Sequence, residues 1–160
     1  MTMTRRRMAL LLLLLAAAAR FPTLAWRSLD GDEGATLYFI SFSYRELFAH
    51  LADLTIERHP LLYYIPLKAW TALAGDSDLA LRLPSALAGM LTVALVYQAG
   101  RRLGEPAAFL AATLAALNPL VVYQHQDARN YALPLFCSAL AVWALWEAIE
   151  RPGARAGWRL

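Results

Sequence analysis

Three carboxylates stand close together in the segment SLDGDEGATLYF, residues 28–39. Asp30, Asp32 and Glu33 follow directly on an apolar run that would suit a lipid bilayer. A carboxylate at such a boundary can take a proton from a reacting hydroxyl or bind a metal ion. Asp32 is equally suited to capping a helix N-terminus, where its oxygen would accept backbone N–H bonds. One cap explains only one of the three acids, so a chemical role stays open beside it.

Two further polar groups interrupt the apolar sequence. They are ERH at residues 57–59 and QHQDAR at residues 124–129. Arg129, at the head of an apolar block, could reach lipid headgroups or bind a phosphate. His59, beside Pro60, could end a loop, or act as a ligand or proton carrier. Both alternatives stay open on the residues alone.

The composition identifies a membrane protein. Hydrophobic residues make up 59% of the chain and the mean hydropathy is +0.42, above the roughly 45–50% apolar content of soluble domains. The net charge of +3 is not gathered in a basic patch interleaved with aromatics, so nucleic-acid binding is not expected. The single cysteine, Cys137, lies in an apolar block and supports neither a disulfide nor a cysteine metal site.

Four apolar blocks are close to the ~20 residues that a helix needs to cross a bilayer. They predict transmembrane helices near residues 8–26, 83–100, 106–123 and 131–147. The first block, with its basic start, also fits a secretory signal, but the later blocks commit the chain to the membrane. Asn118-Pro119 predicts a kink or an early end of the third helix.

The arginine distribution predicts the orientation. If residues 61–75 lie flat on the membrane, eight arginines fall on one side, which then carries net +5 against −2 on the other. Positive charge favours the cytoplasmic side. We therefore expect a multi-pass protein of the cell membrane with a cytoplasmic N-terminus and an exocytoplasmic loop at residues 27–82.

This outer loop predicts two surface helices. Residues 34–53 place apolar side chains at i, i+3, i+4 and i+7, as an amphipathic helix in the membrane interface does. Residues 60–73 are rich in tyrosine and tryptophan, which favour the headgroup zone. All the polar groups described above then lie on the outer side.

Four short sequence motifs, called the family words below, occur in an order that resembles a known family. They are DE after the first block, HPLLYY, RLPSALAGMLTVALVYQAGRRLG and NPLVVYQHQDARNYAL. Over residues 8–148 they resemble the N-terminal third of glycosyltransferase family 39 in the broad sense, which includes protein O-mannosyltransferases and the aminoarabinose transferases of lipid A. The resemblance implies an all-α, polytopic GT-C architecture with about four transmembrane helices and two juxtamembrane surface helices in this part.

The resemblance also implies an activity. Such enzymes pass a sugar from a polyprenyl-phosphate donor to a lipid, glycan or protein acceptor on the exocytoplasmic face. The catalytic acidic residue of the family maps onto Asp32, which is expected to act as the base, and Arg129 is expected to bind the donor phosphate. Three further positions, in words similar to those of the family, are candidates for donor or substrate binding: Tyr131, His59 and Arg58.

Departures from the family words limit the assignment. Leu61 stands where a second proline is usual and Asn130 where methionine is usual, while Tyr131 stands where the aminoarabinose branch carries an aspartate. The last departure argues against that branch. Relatives can bind a divalent metal near this face, for which the local candidates are Glu33, Glu57 and His59. No other cofactor is expected.

Family members are considerably longer, so we expect these residues to be the N-terminal part of a larger transferase. The alternative is a non-catalytic four-span protein, either an assembly partner or a degenerate remnant of the transferase, in which the acids only cap a helix. A carrier function is less favoured, because no apolar block shows the buried carboxylate or the paired broken helices expected of a carrier.

Overall fold

A computed structural model describes residues 4–52 and 61–150 of the chain, and every regular element in these two ranges is helical. The predicted site residues Glu57, Arg58 and His59 lie outside the described residues. The helices are α1 (Arg5–Arg20), α2 (Gly31–Ser41), α3 (Tyr44–Ala52), α4 (Leu61–Ala74), α5 (Asp78–Gly100), α6 (Glu105–Leu117), α7 (Pro119–His125) and α8 (Ala132–Glu150), with a 3₁₀ turn at Arg101–Leu103 between α5 and α6.

The structure supports the predicted transmembrane helices only in part. Two helical stretches of the described residues, Asp78–Leu103 and Ala132–Glu150, are long and apolar enough to cross a membrane, and α6 with α7 makes a third if the bent pair is one span. Helix α1 has 16 residues, about 24 Å, and ends at Arg20 rather than at residue 26. The described residues thus hold two or three candidate spans by length and composition, against the four that the sequence predicts.

The predicted kink at Asn118-Pro119 is confirmed. Helices α6 and α7 meet there at 60°. Pro119 has no N–H to donate to the carbonyl of Ala115. The Asn118 side chain accepts the N–H groups of Leu120 and Val121 at 3.0 and 3.2 Å, so the carbonyl of Ala116 also loses its helical donor. The N–H of Val121 is likewise withdrawn from the carbonyl of Leu117, so the bend leaves three carbonyls of α6 without helical donors.

The single surface helix expected over residues 34–53 is two helices, α2 and α3. The break lies at Ser43, whose N–H donates to the Glu46 carboxylate at 2.9 Å while its hydroxyl accepts the N–H of Glu46 at 3.3 Å. This reciprocal capping begins a new helix, although the apolar stripe runs on across it. The second surface helix, predicted at residues 60–73, is helical over Leu61–Ala74.

Helix α5 is the central element, because α1, α4, α6, α7 and α8 all pack against it. At one end, alanines of α6 meet Leu12 of α1 and Tyr97 of α5 in a buried cluster. At the other end, Phe39 of α2, Leu67 of α4 and Leu81 of α5 share a second buried cluster. The second cluster fixes α2, and with it the acidic segment at the start of this helix.

Gly89 of α5 lies against the side chain of His125 in α7. A β-carbon added at Gly89 would lie 2.5 Å from the ring of His125, which is fully buried. Gly89→Ala should therefore destabilise the protein by about 1–3 kcal/mol, the usual cost of overpacking. Thermal unfolding in detergent would measure this.

The matched control is Gly34→Ala in α2, where an added β-carbon meets nothing within 4 Å. That variant should be neutral or stabilising by up to about 1 kcal/mol. Equal melting temperatures for the two variants would contradict the packing of α7 against Gly89.

Candidate functional site

The buried carboxylate of Glu33 joins three separate segments of the chain. Its Oε1 accepts from Arg82 Nε of α5 at 2.7 Å and from the N–H of Ala128, in the loop after α7, at 2.8 Å. Its Oε2 accepts from Arg82 Nη2 at 2.5 Å and from the N–H of Asp30 at 3.3 Å. Both side chains of the ion pair are almost completely buried. A buried charge is stable only with such partners.

The cap of α2 is Asp30 and not Asp32. The Asp30 carboxylate accepts the N–H of Glu33 at 2.9 Å, and Glu33 accepts the N–H of Asp30 in return. The expectation that Asp32 could cap this helix is therefore wrong: capping geometry selects the residue three positions before the partner N–H, which is Asp30.

Arg82 is a residue that the sequence analysis missed. Its Nη1 donates to the carbonyls of Leu24 and Arg27 at 2.9 and 2.6 Å, and its Nη2 donates to the carbonyl of Ser28 at 3.2 Å. Arg82 thus fixes the turn after α1 as well as Glu33. The available signal was an arginine near the start of an apolar helix, since such residues are usually functional or paired.

The loop between α7 and α8 places Arg129 beside Asp32. Arg129 is buried, and its Nη1 donates to the backbone carbonyl of Asp32 at 3.1 Å. Its Nη2 lies 3.9 Å from the Asp32 carboxylate, whose side chain is 71% exposed. The structure therefore brings together the two residues that the sequence singled out as base and phosphate partner. Tyr131 is more exposed and interacts with the Arg129 side chain.

A second buried arginine fixes the start of this loop. Arg20, at the end of α1, donates to the carbonyls of Ala116 and Ala115 at 2.9 and 3.2 Å. These are two of the three carbonyls that the bend between α6 and α7 leaves without helical donors. Arg20 also donates to His125 Nδ1, so the proton of this imidazole sits on Nε2. Gln126 Nε2 donates to the carbonyl of Arg20 at 2.7 Å.

Asp127 and Glu33 have opposite pKa shifts. Burial raises the pKa of Asp127 to about 6, and the neighbouring Glu33 carboxylate adds to this. Burial also acts to raise the pKa of Glu33, but hydrogen bonds from Arg82, Ala128 and Asp30 outweigh it and lower the value to about 2. Arg27 pairs with the Asp127 carboxylate at 3.1 Å. The site thus holds one firmly ionised acid beside one that titrates near neutrality.

Carboxylate oxygens of Asp30, Glu33 and Asp127 lie within 4.8 Å of one another, as ligands of a metal ion would. Two guanidinium groups already contact this cluster, since Arg82 pairs with Glu33 and Arg27 with Asp127. A divalent cation would compete with both for the same oxygens, so the cluster does not fit a metal well. The metal role of Glu33, with Glu57 and His59, stays a prediction.

The opposite pKa shifts predict a stability profile. The unfolded chain releases the Asp127 proton near pH 3.9, whereas the folded protein keeps it to about pH 6. Stability should therefore fall as the pH rises from about 4 to 6. Glu33 acts with the opposite sign, because its depressed pKa adds stability as the pH rises from about 2 to 4.3.

Asp127→Asn should abolish the fall in melting temperature between about pH 4 and 6 and keep the rise below it. Asp76→Asn, which changes an exposed acid, should retain both limbs of the profile. An unchanged fall in the Asp127 variant would show that another group titrates.

Removing one member of the buried ion pair should cost far more than removing both. Arg82→Met leaves Glu33 buried without its main partner and should destabilise by about 3–5 kcal/mol. The double variant with Glu33→Gln should recover part of this loss, and Arg45→Met, at an exposed position, should change stability by less than about 0.5 kcal/mol. Denaturant unfolding measures all three, and additive effects of the two substitutions would contradict the pairing.

One known protein family matches most of the chain. The profile of a family described as dolichyl-phosphate-mannose-protein mannosyltransferase matches residues 58–158, more than half of the chain. Arg129 and Tyr131 lie inside the match, while Asp32 and Glu33 precede it. No curated protein and no solved structure is significantly similar to the chain. The match confirms the resemblance drawn from the sequence: the chain belongs to the dolichyl-phosphate-mannose-protein mannosyltransferase family of membrane glycosyltransferases.

Proposed function

We propose that this protein transfers a sugar from a polyprenyl-phosphate donor to an acceptor on the exocytoplasmic face of the cell membrane. Family membership supports the class of reaction and of donor. The observation that carries the proposal is the position of Asp32, whose exposed carboxylate lies 3.9 Å from the buried guanidinium of Arg129. A reactive base and a phosphate-binding cation are thus neighbours.

The chemistry needs one proton acceptor and one cation. The acceptor hydroxyl attacks the anomeric carbon of the sugar, and the bond from that carbon to the phosphate oxygen breaks. Asp32 takes the proton of the hydroxyl, and the polyprenyl phosphate leaves with the bonding electron pair. Arg129 stabilises the negative charge that develops on the departing phosphate.

Asp32 and Glu33 have different roles because their environments differ. Glu33 accepts hydrogen bonds from Arg82, Ala128 and Asp30, so it is held as an ionised structural group with a pKa of about 2. Its buried carboxylate cannot meet an acceptor. Asp32, one position earlier, has most of its side chain exposed, which suits a residue that must contact a substrate.

The arginine asymmetry supports the orientation in the membrane. If α5 and α8 cross the membrane, the order of the elements puts Arg5, Arg101 and Arg102 at one end of the helices. Asp32 and Arg129 then lie at the other end. An excess of arginine marks the cytoplasmic side. The candidate site would then face outward, where the acceptor is expected.

Replacing the proposed base provides the main test. In the complete natural gene product, Asp32→Asn should lower sugar transfer from a polyprenyl-phosphate donor by about 10²–10⁴-fold, with unchanged abundance in the membrane. Asp76→Asn should transfer sugar normally. Undiminished turnover by the Asp32 variant would remove this residue from the chemistry.

Arg129 should matter through its charge and its planar geometry. We expect Arg129→Gln to reduce transfer by about 10²–10³-fold and Arg129→Lys to recover only part of it, while Arg45→Gln transfers normally. The readout is radiolabelled sugar moved from defined donors in proteoliposomes. A stable wild-type protein that copurifies with a partner but consumes no lipid-linked sugar would instead support the non-catalytic alternative.

A further inference from the structure

Helix α1 has two faces with different surroundings. One face packs against the protein, since Leu12 and Ala16 are buried in the cluster with α5 and α6. The opposite face carries Leu10, Leu11 and Leu14, which are 58%, 49% and 56% exposed. At about 3.6 residues per turn, these three leucines lie on one side of the helix. In a membrane protein, such an exposed apolar stripe suits the hydrocarbon chains of lipids.

Two arginines continue this exposed face toward the start of α1. Arg6 and Arg7 precede Leu10 and Leu11 by four residues each, so they lie on the same side of the helix, one turn earlier. Both are exposed, and neither side chain forms an ion pair or a hydrogen bond within the part of the chain that the structure describes. The exposed face thus begins with two unpaired guanidinium groups and goes on as an apolar stripe.

The other arginines at this end of the helices already have acidic partners. Arg5, on the packed face of α1, pairs with Glu105 of α6 at 2.8 Å, and Arg101 lies 3.5 Å from the same carboxylate. Arg102 pairs with two carboxylates of α8. The acids that the structure describes at this end are therefore all engaged by arginine. The excess positive charge falls on the two arginines of the exposed face.

The length of α1 brings these two arginines to the lipid headgroups. The helix has 16 residues, about 24 Å, whereas a hydrocarbon core is roughly 30 Å thick. Unpaired charges are costly in hydrocarbon. A short helix avoids this cost when the bilayer thins locally, or when long side chains extend to the headgroups. Both responses bring phosphate groups to Arg6 and Arg7.

We propose that the exposed face of α1, formed by Arg6, Arg7, Leu10, Leu11 and Leu14, binds an anionic phospholipid. The phosphate accepts hydrogen bonds from the two guanidinium groups, and an acyl chain lies along the leucines. Arginine suits phosphate through its charge and its planar donors, and basic residues at the membrane boundary attract anionic lipids. The site lies at the end of α1 remote from Asp32 and does not depend on the proposed sugar transfer.

The test compares two phospholipids that share their acyl chains and differ in headgroup. The complete natural protein should bind phosphatidylglycerol at least about tenfold more tightly than phosphatidylcholine, equivalent to about 1.4 kcal/mol. The reason is that phosphatidylcholine carries a cationic group that the arginines repel. Native mass spectrometry of the protein in detergent gives both dissociation constants. Equal affinity for the two lipids would overturn the site.

Substitution of the two arginines locates this preference. Arg6→Gln combined with Arg7→Gln should reduce it to within about twofold, and either change alone should lower it by about threefold. The double variant with lysine at both positions keeps the charge and should retain most of the preference. The matched control is Arg45→Gln, at an exposed position of α3, which should bind both lipids as the wild type does. An equal loss in this control would overturn the site, because the preference would then follow total charge.

A second readout uses the wild-type chain, so it stands even if the variants fail to insert. Phosphatidylglycerol with a photoactivatable group on its headgroup should label the first two turns of α1, which peptide mass spectrometry identifies. Labelling confined to other helices would overturn the site. Inorganic phosphate at about 100-fold excess should not displace the lipid, because it makes no contact with the leucines. Full displacement would show that an anion alone binds there and would contradict a phospholipid site.

Discussion

The architecture depends on one buried charge. The Glu33 carboxylate is out of contact with water and remains ionised, so it must receive hydrogen bonds from within the protein. Its donors come from the start of α2, from Arg82 of α5 and from Ala128 after α7. Arg82 lies 49 positions and Ala128 lies 95 positions from Glu33 along the sequence. None of these segments can move away without removing a hydrogen bond from this buried carboxylate, and loss of Arg82 would leave its charge unpaired.

The contacts around Glu33 extend into an ordered series between two segments of the chain. Side chains or backbone groups of residues 125–129 contact residues 20–33, beginning with His125 on Arg20 and ending with Arg129 on Asp32. The position of the exposed acid beside the cation is therefore a product of the whole series. A substitution of Asp32 or Arg129 would alter the chemistry directly. A substitution of Glu33 or Arg82 would instead alter the contacts that position both residues.

The sequence predicted the features that depend on local pattern. Apolar blocks indicated a helical membrane protein, Pro119 indicated a bend, and the family words indicated Asp32 and Arg129. The sequence could not predict that Asp30 is the cap and that Asp32 lies in the first turn, because the two aspartates are two positions apart and only the backbone geometry decides where the helix begins. The role of Arg82 was also hidden, since its partner lies 49 positions away and no local spacing encodes such a pairing.

The contact of Arg20 with the bend of α6 and α7 has a consequence for assembly in the membrane. Two carbonyls without donors are costly in hydrocarbon, and the groups that satisfy them belong to α1, about 95 residues earlier. Without α1 beside the bend, these carbonyls would lose the donors that Arg20 supplies. Because synthesis runs from the N-terminus, the chain produces this arginine before the break that requires it.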